Sequence, residues 1–365
     1  MTEYRFVAED IVTGQLKTQE LLLSSWSVSD MLNRPGSLTA SLSLTDQDAN
    51  EEVLAPYRTA IYMERDGAIE WGGILMPPSM SIGSQVLSIN AIGWLGYWDR
   101  RIIRTDYQPD GIDQFVIFQQ LVADAQNETI NGDGYDLGIT VTWDSLSGVT
   151  RSRTQDYRPF QAKNLGEMLR NLAALENGFD YSMTYSINAT TDRIDKAIAL
   201  HYPRKGRDTG FMFRFDRNGP GGNVIARGFA DQVQFAWVGD GWGSGADETR
   251  LTSSYIDTTL RNVYPPFDAA PAWTSVTEQT TLDDNTTQWF RSRNRPRLTP
   301  VLRVDPNRYP LWSDWSIGDT VNVDIDDGYG STDGPQQNRI TGWTISESGD
   351  VYDIVVADPD LEVSF

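Results

Sequence analysis

The stretch RPGSLTASLSLT, residues 34–45, decides the class of the fold. Arg34-Pro35-Gly36 is turn chemistry, because proline presets φ and glycine frees it. From Ser37 onward, Leu38, Ala40, Leu42 and Leu44 alternate with Ser37, Thr39, Ser41 and Ser43. A period of two marks a β-strand with one wet face. The surrounding sequence continues the pattern. Runs at 59–65 and 68–74 flank Asp66-Gly67, a pair suited to the two positive φ angles of a type I′ turn. A two-residue turn there sets Tyr62 opposite Trp71. Leu87, Ile89 and Ala91 then alternate with Ser88 and Asn90. At least four strands in about a hundred residues, most with one polar face, suggest a small barrel or sandwich.

The character changes after Tyr107. Residues 111–127 place Ile112, Phe115, Val116, Leu121, Val122 and Ala125 at helical spacing, with Asp110 as the expected N-cap. A second helix is expected from Leu165 to about Asn177. Asn164 caps it, Glu167 stands three residues on, and Gly178 suits the C′ position. Strand-like runs at 138–143, 179–187, 194–202 and 211–215 make the middle α+β, with helices on an antiparallel sheet. From Asn223 the chain is β again. Residues 224–238 read as a pair of strands, 239–247 as a glycine-rich loop and 255–276 as irregular. A third helix is expected at 282–294, with Thr281 as cap and Pro296 as stop. Strands return at 301–304, 321–325, 339–346 and 352–356. Gly342 interrupts the alternation between Ile340 and Trp343, which suggests a bulge. The fold class is therefore mainly β with an α+β middle.

Composition narrows the chemistry. The 365 residues include 51 Asp or Glu, 30 Lys or Arg, one His and no Cys, for a net charge of -21. Without cysteine there is no disulfide framework, iron–sulfur cluster, zinc thiolate site or thiol nucleophile. A single histidine, His201, excludes a multi-histidine metal site within one subunit. Residues 1–10 show neither a basic n-region nor an apolar h-region, so no secretory signal is expected. No apolar run approaches the roughly 18 residues of a membrane span. The expectation is a chain made and assembled in a cytoplasm. The negative charge opposes phosphate binding, and serves solubility in any case.

Each candidate site competes with a plainer reading. Asp324, Asp326, Asp327 and Asp333 crowd a turn, and oxygen-rich loops bind Ca²⁺. The EF-hand register fails, however, because Gly328 stands at position five and Tyr329 follows it. A solvated hairpin loop fits better. Residues 239–245 (GDGWGSG) have the glycines of a phosphate loop but no lysine, and Asp247 and Glu248 stand close by. A mobile surface loop is the better reading. His201 lies near a strand end with no serine or carboxylate placed beside it, and reads as a structural, hydrogen-bonded histidine. Two carboxylates suffice for a glycosidase, but so many acids always supply pairs. Trp94, Tyr97 and Trp98, and Trp312 with Trp315, could line a sugar groove. Core and subunit interface are the plainer uses of such residues. Arg100, Arg101 and Arg104, and Arg291, Arg293, Arg295 and Arg297, could meet acidic surfaces of a partner. Only four of the 30 basic residues are Lys, and Arg suits persistent ion pairs. No catalytic, cofactor-binding or metal-ligating residue is assigned.

The ordered segments resemble the minor tail proteins of long-tailed phages of actinobacteria, members of the tail hub family. The resemblance is carried by Arg34-Pro35-Gly36-Ser37, by Glu64-Arg65-Asp66-Gly67 with Trp71-Gly72-Gly73-Ile74, and by Gly93-Trp94-Leu95 through Tyr97-Trp98-Asp99-Arg100-Arg101. It continues in Asp113-Gln114-Phe115, Asp136-Leu137-Gly138-Ile139 and Thr150-Arg151-Ser152-Arg153-Thr154. It ends with Glu176-Asn177-Gly178-Phe179-Asp180-Tyr181, Tyr202-Pro203-Arg204 and Gly222-Asn223-Val224. Order and spacing carry it, rather than any single piece.

The resemblance implies two tail-tube-like β-barrel domains plus an α+β insertion. The first barrel would occupy 1–104 and the α+β middle domain 105–222. The second barrel, within 223–365, would pair 223–240 with 299–357 around an irregular and helical segment, 241–298. It implies a homotrimeric baseplate hub at the virion tail tip, assembled in the host cytoplasm, adapting a six-fold tail to three-fold tip proteins. Implied partners are the distal tail protein ring, the tape-measure protein and central tip or fibre proteins. DNA would only pass through the lumen, without specific nucleic-acid binding, and there would be no membrane segment. Some relatives carry an added lytic or fibre domain; none is expected here, because the chain ends directly after its last strand. If many acids face the lumen, the channel would repel DNA, and a neutral wall would overturn that idea. Rival readings are a receptor- or cell-wall-glycan-binding tail protein, a six-fold distal tail protein and a cell-wall hydrolase.

Overall fold

The architecture comes from a computed structural model that describes residues 3–81, 83–130, 133–134, 136–143, 151–175, 177–191, 193–216, 221–230, 234–274, 276–291, 293–294, 299–326, 328, 334–347 and 351–357. It is mostly β. The first strands are β1 (Tyr4–Asp10), β2 (Leu16–Thr18), β3 (Ser24–Met31), β4 (Arg34–Ser43), β5 (Thr59–Arg65), β6 (Ala68–Leu75) and β7 (Val86–Gly93), closed by a 3₁₀ turn at Trp94–Arg100. The middle holds β8 (Ile112–Asp113), α1 (Gln114–Asn127), β9 (Thr129–Ile130), β10 (Asp133–Gly134), β11 (Ile139–Trp143), β12 (Ser152–Arg153), α2 (Leu165–Ala173), β13 (Asp180–Asn188), β14 (Arg193–His201) and β15 (Asp208–Asp216). Then follow β16 (Val224–Ala230), β17 (Val238–Trp242), β18 (Thr252–Ile256), β19 (Asp268–Ala269), α3 (Gln279–Arg291), β20 (Thr299–Val304), β21 (Thr320–Asp326), β22 (Gln336–Ser346) and β23 (Tyr352–Ala357).

The chain divides into two compact units: Met1–Ala226 with Leu302–Val356, and Arg227–Val301 with the C-terminal residues. The largest sheet has thirteen strands, running β16-β20-β23-β22-β3-β4-β7-β6-β5-β1-β2, with β15 on β21 and β21 on β22. The antiparallel pair β22·β3 joins the C-terminal strands to the N-terminal ones. One apolar cluster therefore mixes the two ends of the chain: Val28, Leu38 and Trp71 pack with Leu302, Ile340, Ile345 and Ile354.

Strands β1, β5 and β6 lie between two cores, which explains a departure from simple alternation. In β5, Ile61 and Met63 enter the first cluster. Ala60 and Tyr62 enter a second, with Trp94, Trp98, Phe115, Phe118, Leu169 and Ile198. A strand buried on both faces reads as a continuous apolar run. The helices α1 and α2 and the sheet β11-β14-β13 make that second layer. This sheet is mixed, not antiparallel as expected, because β11 runs parallel to β14. The expected strand at 211–215 belongs elsewhere: β15 pairs parallel with β21 in the large sheet.

Local readings hold with corrections. Asp66 and Gly67 both take positive φ, at 50° and 87°, as a type I′ turn requires. The register slips by one beyond it, however. Met63 faces Trp71 and Tyr62 faces Gly72, because an irregularity between Met63 and Glu64 leaves Glu70 as an extra residue. The α1 cap is Asp113, whose carboxylate accepts from the Phe115 N–H at 2.8 Å, not Asp110. Asp110 instead takes the Thr154 hydroxyl, and 112–113 pair as β8 with β12. Asn164 caps α2 as expected, accepting from the Glu167 N–H at 3.0 Å. That helix ends at Ala173, and Asn177 rather than Gly178 takes the left-handed conformation. Helix α3 begins three residues before the expected start and ends at Arg291; Pro296 lies outside the described residues. The β22·β3 register begins at Gly342, and Ile340 and Trp343, three residues apart, both enter the first cluster, so the alternation breaks between them as expected; a further irregularity lies between β3 and β4, after Ser29.

The second unit is built on the glycine-rich stretch. Residues 239–242 lie within β17, paired with β18 and β19. The expectation of a mobile loop there is corrected. A Cβ on Gly241 would stand 2.0 Å from the Thr286 hydroxyl, and one on Gly239 2.0 Å from the Ala269 carbonyl. These glycines let α3 and β19 close onto the strand.

Candidate functional site

Among the described residues, a dense cluster of titratable groups lies in the first unit, around Asp180 at the start of β13. Its side chain is 0% exposed. One oxygen accepts from the Asn33 amide at 3.0 Å; the other accepts from the Lys205 backbone N–H at 2.8 Å and from the Arg339 guanidinium. Arg339 also donates to the carbonyls of Gly318 at 2.9 Å and Lys205 at 2.7 Å. Asn33 sits at positive φ in the β3–β4 turn and accepts from the Tyr181 N–H at 2.7 Å. Thus β3–β4, β13, β22 and the segment after β14 meet on one buried carboxylate. Buried charges persist only when paired and bonded in this way.

His201 lies at the edge of this cluster. Its Nε2 is 3.4 Å from the Ser182 hydroxyl, which also accepts from Lys205 Nζ at 3.0 Å. The sequence placed no serine beside His201; strand pairing of β13 with β14 does. Burial, and then the Lys205 cation, push the imidazole down to about 4. A base that weak takes a proton poorly at neutral pH, and Ser182 is buried. Burial pushes the Asp30 carboxyl up to about 7, against the opposing pull of the Met31 N–H and Lys205. Burial lowers Lys205. The arrangement has the chemistry of a structural brace.

A second buried set ties β1, β5 and β14. Glu9 accepts from the Tyr62 hydroxyl at 2.6 Å and from Lys196 Nζ at 3.2 Å. Lys196 lies 5.1 Å above the Trp94 ring. Burial, then Glu9, raise Tyr62 well above its ordinary value, so the phenol stays a donor. Beside this layer is a small pocket of about 120 Å³, lined by Val7, Leu16, Ile69 and Ile194; its Arg5 and Glu64 pair with each other.

The aromatic candidates are placed in cores. Trp94 and Trp98 are 0% and 1% exposed, closed to a sugar ring. Tyr97 packs edge-on against Trp98 at 5.1 Å. Trp312 and Trp315 are 5.0 Å apart and meet Trp343 and Tyr352, with Arg65 4.9 Å above Trp312. The basic groups are largely committed within the chain. Arg101 and Arg104 both pair with Glu128, at 2.7 and 3.0 Å. Arg293 covers Trp289 at 4.2 Å. Arg295 and Arg297 lie outside the described residues, as do Asp327 and Asp333. Asp324 and Asp326 are in β21, and Asp324 pairs with Arg214 at 3.4 Å. Among the described residues no three His, Cys, Asp or Glu side chains converge as a metal site, and no helix is long and apolar enough to cross a membrane.

Comparison with known proteins gives the fold a context. The chain matches no protein-family model and no curated protein. Its fold is similar to that of solved tail proteins over nearly full length. The tail protein from Neisseria meningitidis MC58 aligns at TM-score 0.59 and 12% identity, covering 98% of this chain and 97% of that one. The 43 kDa tail protein of prophage MuSo2 from Shewanella oneidensis aligns at 0.58 and 14%, covering 98% and 99%. The prophage tail protein gp18 from Listeria monocytogenes EGD-e aligns at 0.50 and 12%, covering 99% and 96%. At such identities the likeness is one of fold.

Proposed function

We propose that this chain is a structural, non-enzymatic component of a phage tail tip. In this reading it is a trimeric hub that adapts a six-fold tail to three-fold tip proteins and forms part of the channel. The observation that carries the reading is the end-to-end likeness to phage tail proteins, over 98% of the chain. The placement of the charged and aromatic candidates supports it. The buried ions brace strands, and Trp94 and Trp98 fill a core. Its partners are a distal tail protein ring, a tape-measure protein and central tip or fibre proteins. It belongs to the virion, assembled in the host cytoplasm, with phages of actinobacteria as the group suggested by its sequence segments.

Symmetry within the particle is the decisive measurement. Image reconstruction of tails carrying this chain is expected to show three copies directly beneath a six-fold ring. Six copies would assign it as the distal tail protein instead. Clearing of peptidoglycan by the purified chain in a zymogram would overturn the non-enzymatic reading.

A further inference from the structure

Most of the thirteen-stranded sheet has one face on the apolar core. Across β22, β3, β4 and β7 the opposite face is open, and its side chains form rows. Thr344, Ser29 and Ser37 are successive partners across three strands. Ser346, Ser27, Thr39 and Asn90 make the next row across four, and Ser24, Ser41 and Ser88 the one after. Ser29 and Ser37 share a hydrogen bond at 2.9 Å. Ser43 continues the rows, opposite Val86, and Ile92 closes the margin beside Ser37. None of these positions carries a charge, in a chain with 81 charged side chains. At the rim of the rows the Glu347 carboxylate accepts from the Ser25 N–H, and beyond β22 Arg303 and Asp353 neutralise each other through two hydrogen bonds at 2.9 and 3.1 Å.

Three common uses of an open sheet face fit these residues badly. A soluble exterior carries interspersed Lys and Glu. A protein-binding face is enriched in aromatics, Met and Arg and depleted in Ser. A nucleic-acid-binding face needs Lys or Arg against the phosphates. Short hydroxyls hold water, project little and offer no fixed charge. A polyanion moving past them finds neither cations that retain it nor an acidic barrier raised by the chain's net charge of -21.

We propose that this hydroxyl face is the channel wall, turned toward the space through which a nucleic-acid duplex passes. It acts by being neutral rather than by repelling. The inference rests on the tail-hub reading and replaces an acid-lined lumen with an uncharged one.

The absence of cysteine makes the test clean, since one introduced thiol is the only one in the chain. The presence of the unaltered chain in the particles is established first, and its absence there would overturn the hub reading itself. Thr39→Cys and Ser88→Cys are then placed separately in particles. After DNA release, a small maleimide is expected to label both positions, while a maleimide on a bulky polymer labels them far more slowly. Equal labelling by both reagents marks an outer surface and overturns the proposal. Protection from both, or loss of assembly on either substitution, marks a packed interface and also overturns it. A second arm uses Thr39→Lys with Ser88→Lys. DNA release is expected to slow by roughly tenfold at low salt and to recover as salt rises, because added cations hold phosphates until screened. Release at the unaltered rate would contradict the wall assignment.

Discussion

Asp30 and His201 border one buried cluster with their pKa values displaced in opposite senses, to about 7 and about 4. A carboxyl raised on folding adds stability at low pH and loses it as pH climbs from about 4 to about 7. An imidazole lowered on folding adds stability above about 6.5 and loses it as pH falls toward 4. Over pH 4–6.5 the two slopes oppose, and the half-buried imidazole, screened by solvent, gives the smaller one. Asp30→Asn keeps an oxygen for the Met31 N–H and removes only the acid. Its stability relative to wild type is expected to rise between pH 4 and 7, by at most about 1.4 kcal/mol per pH unit, then level off. Urea denaturation across that range measures it, and a pH-independent difference would refute the assignment. Glu9 supplies a companion case. Glu9→Gln leaves Lys196 buried without its anion, an expected loss of about 3–5 kcal/mol. Adding Lys196→Met should restore much of it; a double-mutant cycle with no coupling would argue against the pair.

At the level of elements, α3 and β17 depend on glycine for contact. Gly241→Ala places a methyl against the Thr286 hydroxyl and the Trp273 ring. The expected cost is about 1–3 kcal/mol, by overpacking. Thr286→Ala should relieve part of it, and thermal unfolding of both variants decides. These glycines show where sequence reading stopped. GDGWGSG resembles a loop because glycine is uncommon in strands, and only the helix crossing above explains it. The alternation at 37–45 and the Asp66-Gly67 turn were legible because short-range φ/ψ chemistry fixes them. The displaced partner of Trp71 was not, because a bulge depends on both strands. Nor could β5 declare which core each residue enters, since both cores want apolar side chains. The candidate residues fared likewise: Trp98 was legible as core, while Asp180 bonds residues as far as 159 positions away in sequence and leaves no local pattern.

On the scale of the whole molecule, the first unit is discontinuous and the second interrupts it at a hairpin. Strands β16 and β20 are neighbours. The Asn223 carbonyl accepts from the Asp305 N–H, and Gly228 lies against Val301, so the two strands run antiparallel. Residues 231–298 thus leave and return at one end of a strand pair, the kind of site where insertions are tolerated. Replacing them with a short Gly/Ser turn should keep the first unit folded, with a single cooperative transition near the wild-type midpoint. Ending the chain at residue 226 has the opposite consequence. It removes Leu302, Val304, Val321, Val323, Ile340, Ile345, Ile354 and Val356 from the core shared with Val28 and Leu38. It also unpairs β3 along its β22 side and strips the Asp180 carboxylate of Arg339. An open apolar strand edge recruits other chains. The truncated chain is expected to aggregate or to lack a cooperative transition, although it keeps both halves of the Asp66-Gly67 hairpin and all of α1 and α2. Calorimetry on the two variants separates the cases. A truncated chain that melts cooperatively would mean that the N-terminal strands own a core of their own, independent of the C-terminal strands that pair with them.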